Sequence, residues 1–187
     1  MAMNKKSKKL KDEKPKVHVI RLKHELPEGF ERTFPFFDAY HDSSTIGFHE
    51  VRKAITLKDK GASIYSLDND LNKEIVCYCI DGKLISSTEV NKCDYALYSE
   101  DDHLILIELK GSDYGKALDQ ISATIDLLVK NPHVKVSRLC GRVVLNKARV
   151  PDFLETKEKK LKDLLARSYK GNLKKCSLRM NEKLSSV

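Results

Sequence analysis

The chain has 187 residues, enough for one domain with a proper hydrophobic core and tight for two. Its 41% hydrophobic and 33% charged residues are a globular composition, and no apolar run approaches the roughly 20 residues of a membrane-spanning helix, which excludes that class. The lysine-rich start lacks the apolar stretch of a signal peptide, so a cytoplasmic location is expected, while a net charge of +8 suits a polyanionic partner.

Residues 1–15 carry lysines without apolar periodicity and are expected to be a flexible tail, with 16–187 forming a single domain. The alternation at 17–22 predicts a short strand, and Pro27, Gly29 and Pro35 break the aromatic stretch 30–40 into irregular structure packed on the core. Ser43 or Ser44 can cap a helix running to about Lys58, with Ile46, Val51, Ala54, Ile55 and Leu57 roughly on one side. Strand-like runs follow at 62–67, 74–80 and 83–85, the last two joined by the hairpin signal Asp81-Gly82. Two more strands are expected at 94–98 and 103–109; Leu104-Ile105-Leu106-Ile107 is apolar at every position, as in a strand buried on both faces. Ala117, Ile121, Ile125 and Leu128 form the inner stripe of a helix over 114–129 that Asn131-Pro132 stops. A strand at 139–145, a charged helix from Pro151 to about Ser168 and an edge strand near 176–178 complete the pattern. Strands first, then helix, strand and helix, suit an α/β sandwich with a central mixed sheet.

The five cysteines are odd in number, lack a Cys-x-x-Cys pair and have no further zinc ligands at suitable spacing. Reduced thiols, mostly buried, are expected.

Chemistry concentrates at 94–120. If the strands at 94–98 and 103–109 form an antiparallel hairpin, the start of the first lies beside the end of the second, which brings Asp94 and Glu108 to one edge of the sheet. Lys110, two residues on, projects from the same face as Glu108. Two carboxylates can hold magnesium or manganese, and a neighbouring ammonium can orient or deprotonate the attacking water; phosphodiester hydrolysis uses all of these parts. The acid-x-Lys spacing recurs at Asp12, Asp81, Glu155 and Glu158, but only Glu108 ends a fully apolar run. A solvent-facing salt bridge at a strand end is the competing reading.

Cys93-Asp94-Tyr95-Ala96-Leu97, then Ile105-Leu106-Ile107-Glu108-Leu109-Lys110-Gly111 and Ala117-Leu118-Asp119-Gln120-Ile121, resemble the PD-(D/E)xK nuclease superfamily. The resemblance is strong over about the middle fifth of the chain and elsewhere rests on element order. It implies a restriction-endonuclease-like three-layer sandwich, a central mixed sheet flanked by helices. It assigns metal binding to Asp94, Glu108 and the Leu109 carbonyl, a catalytic role to Lys110, and to Gln120 the orientation of a water or phosphate. An upstream helix usually adds an acid, for which Glu50 is the candidate, and Cys93 stands where the family usually has proline.

The expected function is therefore a divalent-metal-dependent nuclease acting on DNA, with roles in phage defence, restriction or repair. Lys157, Lys160, Arg167, Lys174 and Lys175 are the candidate phosphate contacts. Selectivity would come from homodimerisation or a partner protein. The alternatives are a catalytically inert nucleic-acid-binding or scaffolding module, and an RNA-cleaving effector with the same core.

Overall fold

The computed structural model describes residues 35–58, 61–110, 112–146 and 155–187, with Lys110 described as backbone alone. The predicted tail at 1–15 and strand at 17–22 lie outside these residues. In chain order the elements are α1 (Pro35–Ala39), β1 (Ile46–Glu50), β2 (Ala54–Lys58), β3 (Ile64–Asp68), β4 (Ile75–Cys79), β5 (Tyr95–Ser99), β6 (His103–Lys110), α2 (Tyr114–Ile125), β7 (Arg138–Leu145), α3 (Glu155–Tyr169), β8 (Leu173–Ser177) and β9 (Arg179–Lys183).

Six strands make a mixed sheet in the order β1-β4-β5-β6-β7-β8. The first three neighbour pairs, β1–β4, β4–β5 and β5–β6, are antiparallel, while β7 runs parallel to β6 and β8 parallel to β7. Parallel neighbours need a crossover, which α2 and α3 supply in turn. Asp113 caps α2 by accepting from the Lys116 N–H at 2.9 Å, and a π-helical turn, Asp126–Lys130, extends its C-terminus. This is an α/β fold with a mixed sheet.

The sheet is covered on both faces. On one side Leu104, Leu106 and Val143 pack beneath Ile121 and Ile125 of α2 and Leu161 and Leu165 of α3. On the other, Ile105, Ile107 and Leu109 pack against Ile55, Leu57, Tyr65 and Met180. The unbroken apolar run of β6 follows from being sandwiched, because neither side of the strand meets water. The second cover is a small sheet, β2-β3-β9, rather than the helix expected there. Its strands bury alternate residues, so one face is apolar and the other polar.

The same observation corrects the helix expected over 44–58, which is the two strands β1 and β2. Ile55 and Leu57 are buried while Ala54, Thr56 and Lys58 are exposed, a period of two. The expected hairpin at Asp81-Gly82 is a turn closed by one bridge, Asp81 to Ile85, with Gly82 at φ 76°. The aromatic stretch does pack on the core, but as the turn of helix α1, with Phe36 and Phe37 buried. The expected edge strand near Cys176 is β8. The strand after it, β9, was not anticipated.

Leu178, at φ 63°, carries the chain from one sheet to the other. Its N–H donates to the Leu145 carbonyl at 2.7 Å and its carbonyl accepts from the Ile64 N–H at 2.8 Å. Between the sheets, the fully buried Arg142 of β7 donates through Nε to Glu182 Oε2 of β9 at 2.5 Å. Tyr65 Oη donates to the same oxygen at 3.2 Å, and Lys174 Nζ to Oε1 at 2.7 Å. All five cysteines are free; Cys77, Cys93 and Cys140 are buried. No helix among the described residues is long and apolar enough to cross a membrane.

Candidate active site at the end of the central hairpin

Tyr95 and Ile107 are Cα partners in the antiparallel β5–β6 pair, so Asp94 and Glu108 occupy the next opposed positions. Asp94 keeps its backbone in the sheet, its carbonyl accepting from the Ile80 N–H at 2.9 Å. Its Oδ2 accepts from the Leu109 N–H at 2.7 Å. The N–H and C=O of a strand residue point to the same side. The Leu109 carbonyl therefore faces the side on which Asp94 stands. Glu108 alternates with Leu104 and Leu106, on the helix side of the sheet, and is fully buried. Burial strengthens the attraction between a carboxylate and a cation, because little water screens them.

Cys93 ties this corner together. Burial pushes its thiol well above the ordinary range, and the charges of Glu108 and Asp94 add to that rise. Its N–H donates to Thr124 Oγ1 at 2.9 Å, and that hydroxyl donates to the Gln120 carbonyl at 2.8 Å. Gln120 in turn donates through Nε2 to the Lys92 carbonyl at 2.7 Å. Two residues one turn apart on α2 thus grip the backbone immediately before Asp94. Gln120, expected to face a water or phosphate, is buried and holds this segment through its amide nitrogen. Its Oε1 is buried without a hydrogen-bond partner among the described residues. Lys92 is itself 7% exposed, with Nζ on the Ser87 carbonyl at 2.6 Å and on Asp81 at 3.1 Å.

Sequence reasoning missed Thr124 and Cys93. The signal was a hydroxyl one turn from Gln120, next to the apolar stripe of the helix. Lys110 closes β6 opposite Leu145; its side chain lies outside the described residues.

Glu50 does not join this group. It ends β1 opposite Ile75, which is opposite Ser99, which is opposite His103. That row lies at the other end of the sheet, three strands across from β6 and five residues down it. At ~4.8 Å per strand and ~3.3 Å per residue, Glu50 and Glu108 stand roughly 20 Å apart. The Glu50 carboxylate pairs with Arg52. The helix that was to carry it is a strand, and this removes the reason for assigning it to the site.

The candidate phosphate contacts divide. Lys157 pairs with Asp119 at 2.8 Å, Lys174 with Glu182 at 2.7 Å, and Lys175 with Glu158 at 2.6 Å. Lys175 also lies 4.5 Å from the centre of the Tyr114 ring. Lys160 and Arg167 are exposed on α3 and form no ion pair among the described residues. A cleft of about 380 Å³ opens beside β8, lined in part by Tyr114, Glu158, Lys162, Lys175 and Glu182. Burial pushes the Glu158 carboxyl up, and Lys162 and Lys175 more than offset it, holding it below the ordinary range.

Among the described residues no cluster of three or more His, Cys, Asp or Glu side chains is suited to a metal ion. Two carboxylates on adjacent strands, with a backbone carbonyl turned toward them, still fit a hard cation of the magnesium type, which keeps several waters and takes few protein ligands. No protein-family model, curated protein or solved structure matches the chain.

Proposed function

We propose that the chain is a divalent-metal-dependent nuclease of the PD-(D/E)xK kind, built on a variant of the restriction-endonuclease-like fold and acting on DNA. The observation that carries this reading is the pairing of Asp94 and Glu108 across β5–β6, with Asp94 held by the Leu109 N–H at 2.7 Å. Asp94, Glu108 and the Leu109 carbonyl would hold magnesium or manganese. The bound ion would supply Lewis acidity toward a phosphodiester and ease deprotonation of the attacking water. Lys110 follows Glu108 by two residues and is assigned the water, adding positive charge where the transition state gathers negative charge. Thr124 and Gln120 act through Asp94, by fixing the backbone that presents it.

Circular and linear DNA, and RNA, incubated with the purified protein in magnesium, manganese or EDTA test the reading. Cleavage of DNA in the two metals and none in EDTA is expected, with a loss of at least roughly a hundredfold in Glu108→Gln and Lys110→Ala. Cleavage that persists in EDTA or in Glu108→Gln overturns it, as does absence of cleavage on every substrate. Cleavage confined to RNA would replace it with the RNA-cleaving reading.

A further inference from the structure

The small sheet carries two cations to the candidate catalytic end. The outward face of the small sheet carries Lys58, Ile64 and Arg179 in one row, and Ala54, Asp68 and Lys183 in another. The hydrogen bonds of Leu178 to Leu145 and Ile64 fix which row is which, since Leu145 is opposite Lys110. The Lys58–Arg179 row is therefore at the same end of the molecule as Asp94 and Glu108. Lys58 and Arg179 are exposed, and neither forms an ion pair among the described residues. With β3 between their strands they are about 10 Å apart, two strand spacings.

The far end is different. Asp68, Asp70, Glu74, Glu100, Asp101 and Asp102 gather in and beside the turns that follow β3 and β5. Asp70 accepts from the Ser185 N–H at 3.0 Å and from its hydroxyl at 2.6 Å, and Lys73 pairs with Asp101 at 3.1 Å. Lys58 and Arg179 thus stand at the candidate catalytic end, away from these acidic turns, on the sheet-covered side of the molecule.

We propose that the rim formed by Lys58 and Arg179 docks the phosphate backbone of duplex DNA and leads it across the end of β6. The proposal deepens the nuclease reading and rests on it for where the scissile bond sits. Each strand of a duplex carries one phosphate per roughly 3.4 Å of helix axis, so two cations about 10 Å apart can meet one backbone. The occupant is a duplex rather than a single strand because single-strand grooves stack bases on exposed aromatic rings. Among the described residues the exposed large hydrophobics are Val51, Leu71, Val90, Leu127 and Leu178, none aromatic.

Fluorescence anisotropy with an end-labelled duplex of about 20 base pairs, titrated in EDTA across a range of sodium chloride, isolates docking from cleavage. Wild type is compared with Lys58→Ala/Arg179→Ala, with Lys58→Gln/Arg179→Gln, and with Lys157→Ala/Lys174→Ala, whose cations are already paired. Both rim variants should bind roughly tenfold more weakly, and their slope of log K against log salt should fall by about 1.8, or 0.9 per phosphate contact. Their melting temperatures should match wild type, because both positions are exposed, and the paired-lysine variant should change less. Unchanged affinity and slope in the rim variants overturns the proposal, as does tighter binding of single-stranded DNA or duplex RNA. A wild type that binds the duplex through this rim yet does not cut it in magnesium removes the nuclease reading and leaves the surface. A wild type that cuts, with rim variants of full affinity and slope, does the reverse.

Discussion

At the scale of residues, the candidate site is a matter of how Asp94 is held. Thr124 is fully buried and serves both the Cys93 N–H and the Gln120 carbonyl. Thr124→Val keeps the shape and removes the acceptor, leaving a buried N–H unpaired at a cost of about 1–3 kcal/mol. Manganese affinity, read by calorimetry, and cleavage rate should each fall at least roughly tenfold, beyond what lost stability explains, and Thr124→Ser should restore both. A variant with lower melting temperature but unaltered manganese affinity would mean that Thr124 only packs. Glu50→Ala should leave kcat/KM within about twofold of wild type, since the side chain stands roughly 20 Å from Glu108. The opposition of Asp94 and Glu108 was legible in the sequence because hairpin geometry dictates it once two strands flank a polar tip. The grip of Thr124 on Cys93 was not, because it joins residues 31 apart across a helix–sheet contact that no local spacing encodes.

At the scale of elements, β9 is what the sequence concealed. Arg-Met-Asn-Glu-Lys offers one buried apolar side chain, Met180, and too little alternation to announce a strand. Its clue lay elsewhere: Arg142 sits within the apolar run of β7, and a charge placed there needs a partner. Glu182 is that partner. The error over 44–58 has a similar origin, since Ile46, Val51, Ala54, Ile55 and Leu57 fit a helical stripe loosely while Ile55 and Leu57 also fit a strand. Only the core that β2 covers decides between them. β6 and α2 were readable because a long apolar run and a well-spaced stripe each exclude the other period.

The Arg142–Glu182 contact also gives the two-sheet packing a pH dependence. Burial pushes the Glu182 carboxyl up, but Arg142 and Lys174 outweigh it and hold the group below the ordinary carboxylate range. A carboxyl depressed in the folded state contributes stability that is complete above its unfolded pKa, about 4.3, and is lost as pH falls toward the folded value. The urea midpoint should therefore drop below about pH 4.5, and Glu182→Gln should flatten that part of the profile. The same variant should be destabilised at pH 7 by about 3 kcal/mol, because Arg142 is left buried beside a neutral amide. A midpoint that falls equally in both proteins would assign the acid sensitivity to other carboxylates.

At the scale of the whole molecule, a net charge of +8 surrounds the Lys58–Arg179 rim with a positive field. Such a field orients an approaching polyanion before contact and raises its association rate. Stopped-flow association with duplex DNA should slow severalfold between 50 and 200 mM salt, as the Debye length shortens from about 14 to 7 Å. Neutralising Glu100 and Asp101 together should change that rate less than neutralising the rim, since the rim provides the contact and these acids already pair with Lys73.

The pairing of β3 with β9 has a consequence in time rather than in space. Tyr65 and Glu182, joined by a hydrogen bond, are 117 residues apart in the chain. Until that long loop closes, the β2–β3 hairpin lacks its third strand and Arg142 its counter-charge. Local pieces such as the β5–β6 hairpin can assemble in microseconds, whereas contacts of this separation place folding in the millisecond-to-second range. The small sheet should thus be the last layer to set, and the central sheet gains its second cover only when the rest of the molecule is built.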